Sequence, residues 1–279
     1  MNGVLGIDAA WTAKEPSGVA LLEGSPGKWR CVAVAPSYDS FLALAEGMPV
    51  DWTVKSKGAV PDADRLVAAA EKLLGGQELT VVTVDMPLST TPITGRRAAD
   101  NAISRTFGGK GASTHSPSVD RPGIISSQFR DAFADSSFPL ATHATPAGTP
   151  ERLVEVYPHP ALLTLTGASR RLPYKVDNRG RYWKGSSAAE RKVNLLEQFE
   201  KILTALRADI RGIELKLPEP DDAVSMPRLK RYEDSLDALV CAWVGAKYVE
   251  GDAVPYGDLM IPPQGGHVVA VLERFLSGV

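Results

Sequence analysis

Six residues, Leu79 to Val84 (LTVVTV), constrain the fold more than any other stretch of the chain. The run is almost wholly β-branched or aliphatic and lacks polar alternation, as expected of a strand buried on both faces. A strand of that kind needs a layer on each side, which points to a largely parallel sheet between helices. The run stops at Asp85-Met86-Pro87, where proline cannot continue the ladder and the carboxylate is left at the sheet's edge.

The remaining segments supply partners for that strand. Val4 to Asp8 is a short apolar run that also ends at a carboxylate, within Gly6-Ile7-Asp8-Ala9-Ala10. Ser17 to Glu23 and Trp29 to Ala35 follow, separated by the turn chemistry of Gly24-Ser25-Pro26-Gly27. Helices are predicted over Tyr38–Glu46 and Asp62–Leu74; the second carries Leu66, Val67, Ala70, Leu73 and Leu74 at helical spacing and ends at Gly75-Gly76. Residues 89–150 are rich in Ser, Thr, Gly and Pro and read as an insertion with helical pieces near 96–106 and 124–134. Leu153 to Tyr157 (LVEVY) is a strand cut off by Pro158-His159-Pro160. A helical extension is expected across about 160–215, including an amphipathic helix from Ala188 to Arg211. Pro218–Pro227 reads as a turn region, Arg231–Val249 as a helix, and Gly266–Leu276 as a final short helix. No internal repeat is visible.

Assembled, these elements predict one α/β domain over residues 1–279. Its sheet has five strands, three antiparallel followed by two parallel, flanked by helices. A right-handed crossover places the Leu79 strand beside and parallel to the first, with LVEVY beyond it. Asp8 and Asp85 then emerge at the same carboxyl-end edge, where open α/β sheets bind ligands.

Composition narrows the class. With 44% apolar and 23% charged residues the chain reads as an ordinary globular protein. No apolar run reaches the roughly 18 residues needed to span a bilayer, so no membrane is expected as a partner. The first residues carry no basic leader pattern, so no signal peptide is expected and the cytoplasm is the expected compartment. Cys31 and Cys241 are far apart in apolar contexts and suggest neither a zinc site nor a disulfide. A net charge of -2 excludes a uniformly basic nucleic-acid binder. Residues 170–192 are locally basic, with Arg170, Arg171, Lys175, Arg179, Arg181, Lys184, Arg191 and Lys192 around Tyr174, Tyr182 and Trp183. Such a segment grips phosphates and stacks on bases, or is a solvated loop leading into a helix. His115, His143, His159 and His267 share no metal-ligand spacing, and neither a phosphate-binding P-loop nor a Gly-x-Ser-x-Gly elbow is present.

The carboxylates carry the chemistry. Several acids converging on one point repel and raise one another's pKa, which makes a poor structural device and a good cation site. Mg²⁺ prefers oxygen ligands and keeps waters that a substrate displaces. Two such ions about 4 Å apart stabilise the attacking and leaving oxygens of phosphodiester cleavage. Asp8 and Asp85 are the first candidates, although an Asp at a strand end also caps turns. Asp234 and Asp237 lie three apart on one helical face, continued by the small residues Ala238, Cys241 and Gly245. That stripe lets the helix lie close to the sheet. Acids in a first helical turn also favour the macrodipole, an account that suffices for Asp234 better than for Asp237. Glu155, between two valines in a strand, needs a metal or an arginine partner. His159 either positions a water or phosphate or is a satisfied structural histidine.

Gly6-Ile7-Asp8, Val84-Asp85-Met86-Pro87-Leu88, Glu155-Val156-Tyr157-Pro158-His159-Pro160 and Asp234-Ser235-Leu236-Asp237-Ala238-Leu239-Val240-Cys241-Ala242 occur in this order. Together they resemble the motifs of the domain of unknown function 429 family, a group of expected ribonuclease H-like nucleases, over about residues 3–263. The final Asp-x-x-Asp-Ala-Leu is also similar to the last helix of Holliday-junction resolvases, whose carboxylates bind metal. The resemblance implies a ribonuclease H-like fold and a metal-dependent nuclease site. Asp8, Asp85 and Asp237 would form it, with Glu155 or Asp234 as a fourth ligand and one or two Mg or Mn ions as cofactor. It implies further that Arg96 with Asp100 matches an Arg-x-x-x-Asp pattern, and that Lys175 matches a Tyr-Lys pattern. Arg96 and Lys175 are the residues it offers for phosphate contact, and His159, from its own position after the strand, is the third substrate-binding candidate.

Three functions compete. The first is hydrolysis of nucleic-acid phosphodiesters. The second is a phosphotransferase or ATPase of the actin and sugar-kinase type, which also begins with a Gly-Ile-Asp strand. Against it, the turn after Asp8 is Ala-Ala-Trp and no Asp-Gly-Gly phosphate motif follows. The third is a binding module without chemistry. DNA against RNA, and monomer against homodimer, stay open.

Overall fold

A computed structural model of the protein describes residues 1–257 and 259–261. The opening meander forms as the turn chemistry dictates. Strands β1 (Asn2–Asp8), β2 (Gly18–Ser25) and β3 (Lys28–Ala35) pair antiparallel. Gly27 in the β2–β3 turn has φ 70°, a left-handed conformation that glycine adopts without a Cβ penalty. Helices α1 (Tyr38–Ala45) and α2 (Ala63–Leu73) start where Ser37 and Asp62 accept hydrogen bonds from the Ser40 and Arg65 N–H groups. There follow β4 (Leu79–Val84), α3 (Ala98–Phe107), α4 (Ile124–Asp135), β5 (Arg152–Val156), α5 (Pro158–Thr166), α6 (Arg179–Tyr182) and α7 (Ala188–Asp209). The two-residue β6 (Ile210–Arg211), α8 (Met226–Val249), β7 (Val254–Tyr256) and β8 (Leu259–Ile261) complete the described strands and α-helices.

The sheet runs β6-β3-β2-β1-β4-β5-β8-β7. Its inner five strands take the expected order, with β4 parallel to β1 and β5 parallel to β4. Among the described residues eight strands stand where the sequence predicts five. The additions β6, β7 and β8 are two or three residues long, too short to display a period-two pattern. The predicted helix at Gly266–Leu276 lies outside the described residues. Among the described residues no helix is long and apolar enough to cross a membrane.

Two further boundaries differ from expectation because of proline. α8 begins at Met226, five residues before the predicted Arg231, with Ser225 as its cap and Pro227 in its first turn. Proline there forfeits no helical hydrogen bond. The same holds for α5, which opens on Pro158-His159-Pro160 rather than simply ending a strand.

Alternation along β1 and β4 sorts their side chains between the two faces. Val4 and Val81 belong to the core beneath α5, α7 and α8, whereas Leu5, Ile7, Val82 and Val84 belong to the core beneath α1, α2 and α4. α8 lies unusually close to the first face. A Cβ on Gly18 would sit 2.2 Å from the Asp234 carbonyl oxygen, and one on Gly245 2.5 Å from Val4. Thr83 on β4 ties the layers by donating its hydroxyl to the Cys241 carbonyl at 2.8 Å. Cys31 and Cys241 are both buried free thiols.

Candidate active site

Asp8 ends β1 and Asp85 follows the last residue of β4, with Ile7 paired to Val84 and the Asp85 N–H donating to the Ile7 carbonyl at 2.9 Å. Asp8 continues the Val4 and Gly6 phase and Asp85 the Val81 and Thr83 phase. Both carboxylates therefore turn to the α8 face. They are half-buried and line a cavity of about 920 Å³. Its walls come from the loop after β1 (Trp11, Thr12, Glu15, Pro16), from His115, Ser116 and Arg121, from Lys175, Asp177 and Arg179, and from the first turns of α8.

Among the described residues neither the Asp8 nor the Asp85 carboxyl has a hydrogen-bond or ion-pair partner. Burial, reinforced by the charges of Asp237 and Asp234, holds Asp8 well above the usual carboxylate range. Burial pushes Asp85 up to about 7; Lys175 opposes this, and Asp237 and Glu155 add to it.

The α8 acids sit differently. Asp237 is fully buried beneath the cavity. One of its oxygens accepts from the Tyr174 hydroxyl at 2.6 Å and the other from the Lys175 ammonium. Lys175 lies also 3.2 Å from Glu233, whose other oxygen accepts from the Val176 N–H at 2.6 Å. Asp234 lines the cavity and is paired to Lys230 one turn earlier, which also reaches Glu233 at 3.1 Å. Burial raises Asp234 to about 6 against the pull of Lys230. Burial alone would raise Glu233 too, but Lys175 and Lys230 outweigh it and hold that carboxyl below its usual range.

His159 stands behind this layer, 4% exposed, with Nδ1 3.4 Å from the Tyr174 hydroxyl. Because Tyr174 gives its proton to Asp237, His159 meets it as the donor. Burial, then the charges of Arg171 and Lys175, hold the imidazole well below its usual pKa, so the ring is neutral. Its contacts include Tyr174 and the edge of the Tyr157 ring, and it does not line the cavity.

Glu155 points away from the other acids. Val154 and Val156 face the α8 core and Leu153 the opposite one, so Glu155 joins Leu153. There Arg97 grips both its oxygens at 2.6 Å, and the Leu88 N–H donates at 2.8 Å. Of the two readings open for a buried strand acid, the arginine pair is the one present. Arg97 also holds Asp100 at 2.9 Å. Its neighbour Arg96 is exposed and donates to Ser116 at 2.9 Å and Ser104 at 2.7 Å. It thereby ties α3 to the loop that carries His115 and Ser116 along the cavity rim. From the basic segment, Lys175 and Arg179 reach the cavity. Arg191 and Lys192 instead brace the Trp183 and Asp222 carbonyls.

Lys55, Arg97, Arg121, Lys230 and Arg231 were not among the residues singled out from sequence. The signal for Lys230 was its position one helical turn before Asp234, visible once α8 starts at Met226. That for Arg97 was the need of Glu155 for a cation.

Among the described residues no group of three or more His, Cys, Asp or Glu side chains is arranged to hold a metal ion. The unpartnered pair of hard oxygen donors at Asp8 and Asp85 suits Mg²⁺ or Mn²⁺, which bind through one or two carboxylates and keep waters. Asp234 and Asp237 are already neutralised by lysines.

Fold and site together define a mixed α/β protein with a cavity at the carboxyl ends of its parallel strands, acidic at its floor and cationic along its walls. The chain belongs to the DUF429 family, described as a protein family of unknown function, whose sequence profile matches residues 6–260. That stretch contains Asp8, Asp85, Glu155, Lys175 and Asp237. No curated protein and no solved structure matches the chain.

Proposed function

We propose that this protein is a metal-dependent hydrolase of nucleic-acid phosphodiesters built on a ribonuclease H-like sheet. The observation that carries the reading is the pair Asp8 and Asp85, side by side on adjacent parallel strands, unpartnered and facing a cavity rimmed by cations. The inner strand order β3-β2-β1-β4-β5, antiparallel then parallel, supports the fold assignment.

Asp8 and Asp85 would hold one Mg²⁺ or Mn²⁺ ion, which when bound supplies Lewis-acid stabilisation and a more acidic water. Lys175 places a positive charge beside them for the phosphate. Asp237 and Glu233 hold that ammonium in position, and Tyr174 with His159 holds Asp237. Lys230 and Arg179 extend the cationic wall for the polynucleotide backbone. Glu155 and Arg97 act through structure, locking the chain where it leaves β4 to the start of α3.

The test is incubation of the protein and its Asp8→Asn variant with single-stranded, duplex and branched DNA and RNA, with Mg²⁺ or Mn²⁺ or with EDTA. Cleavage that needs the ion and disappears in the variant is expected. ATP turnover without cleavage would shift the reading to a phosphotransferase. No turnover of either kind, with no metal-dependent thermal shift, would reduce the protein to a binding module.

A further inference from the structure

One wall of the cavity joins the first turns of α8 to the segment 51–58. Arg231, on that wall, is 6% exposed and lines the cavity. Its Nη1 donates to the Val54 carbonyl, and its Nε has no partner. Among the described residues no carboxylate pairs with it. The acid whose charge reaches it, Asp51, is folded onto Thr53, accepting from its N–H at 2.8 Å and its hydroxyl at 2.6 Å. Burial, then the like charge of Arg228, holds the Arg231 pKa below its usual value. A buried guanidinium without a counter-charge is unfavourable, and an anion in the cavity removes the deficit.

The neighbouring segment is fastened where such an anion would need it. The Trp52 ring stacks on Tyr232 of α8, centroids 4.8 Å apart and planes within 10°. Gly58 is pressed against the loop after β1, where a Cβ would lie 2.2 Å from the Lys14 backbone. These contacts hold Lys55 and Ser56 on the cavity lining beside Arg231. Lys55 is exposed and has no acidic partner among the described residues.

We propose that Arg231, Lys55 and Ser56 form a phosphate-binding subsite of this cavity, separate from the carboxylate pair, that seats a non-scissile phosphodiester of the substrate. The polynucleotide substrate rests on the hydrolase reading above; the affinity for a phosphate oxyanion does not. A guanidinium fork, an ammonium and a hydroxyl supply charge-assisted donors in the combination that recognises phosphate.

The experiment is calorimetric titration of the full-length protein in EDTA with two probes, inorganic phosphate and the dinucleotide TpT. Binding of both probes at one site is expected. Arg231→Gln should weaken it by about tenfold or more and Lys55→Glu by a similar factor, as for loss of one charge-assisted contact. Lys55 is on the surface, so its variant keeps the test valid should Arg231→Gln fold poorly. Phosphate alone binding places a free anion there and overturns the phosphodiester assignment. No binding of either probe, or equal binding by wild type and both variants, overturns the subsite. Arg231-dependent binding without any nucleic-acid cleavage keeps the subsite and removes the hydrolase. Metal-dependent cleavage with no phosphate binding does the reverse.

Discussion

Gly6 lies directly beneath the backbone of α8: a Cβ on it would sit 2.4 Å from the Ala238 carbonyl oxygen. Gly6 is two residues before Asp8, and Ala238 immediately follows Asp237, so this contact sets how near the helix acids come to the strand acids. Neither backbone can give way cheaply, because β1 is held by β2 and β4 on its two edges. Gly6→Ala should therefore destabilise the protein by about 2–3 kcal/mol, lowering Tm by roughly 5–10 °C. Thermal denaturation followed by circular dichroism measures it. A variant with unchanged Tm would show that the helix rides up without loss.

The Asp85 carboxyl makes stability depend on pH. Its folded pKa of about 7 exceeds its ordinary value of 3.8, so between these values the folded state holds more protons than the unfolded one. Stability from this group is greatest below that interval and falls as pH rises through 7. Asp85→Asn abolishes the dependence, so its advantage over wild type should grow by ~2 kcal/mol between pH 5 and pH 8 in EDTA. Urea denaturation at both pH values provides the comparison. A constant difference would mean that Asp85 is ionised throughout.

Arg97 and Glu155 form a buried pair whose halves are not equivalent to the whole. Arg97→Met strands the Glu155 carboxylate between β4 and α3 and should destabilise by about 3–4 kcal/mol. Glu155→Leu added to it removes the stranded charge, and a large part of the loss should return. Chemical denaturation of the two single variants and the double variant closes the cycle. Additive losses would contradict the pairing.

The strand ends at Asp8 and Asp85 were legible in the sequence because two apolar runs each stop at an Asp and a crossover of fixed hand makes them neighbours. The closeness of α8 was legible from Ala238, Cys241 and Gly245, although the sheet-side counterparts, Gly6 and Gly18, look like ordinary strand glycines until the layers meet. Glu155 reads in sequence as one of the site acids because spacing reveals that a strand alternates but not which residue faces which layer. The sequence points to Lys175 but not to its partners. Its pairing with Glu233 and Asp237 joins positions about sixty residues apart through a cavity wall that no local pattern announces. The start of α8 was obscured by Pro227, which reads as a breaker in a linker and serves as a first-turn residue in the helix.

Lys175 stands where a cation is needed when no metal is bound. Its ammonium meets Asp237 and Glu233, whose side chains are 1% and 2% exposed, and it lies close enough to Asp8 and Asp85 to affect both. Lys175→Met leaves those buried acids with less positive charge and should destabilise by about 3 kcal/mol at pH 8. Because Lys175 is a main cause of the depressed Glu233 pKa, its loss lets that carboxyl take up a proton at higher pH. The deficit relative to wild type should therefore shrink as pH falls toward 5. A divalent cation replaces the missing charge, so millimolar Mg²⁺ should raise the Tm of Lys175→Met more than that of wild type. Thermal melts at pH 5 and pH 8, with Mg²⁺ and with EDTA, decide the matter. A variant as stable as wild type at pH 8, or indifferent to Mg²⁺, would show that this lysine neither balances the acids nor competes with a metal for them.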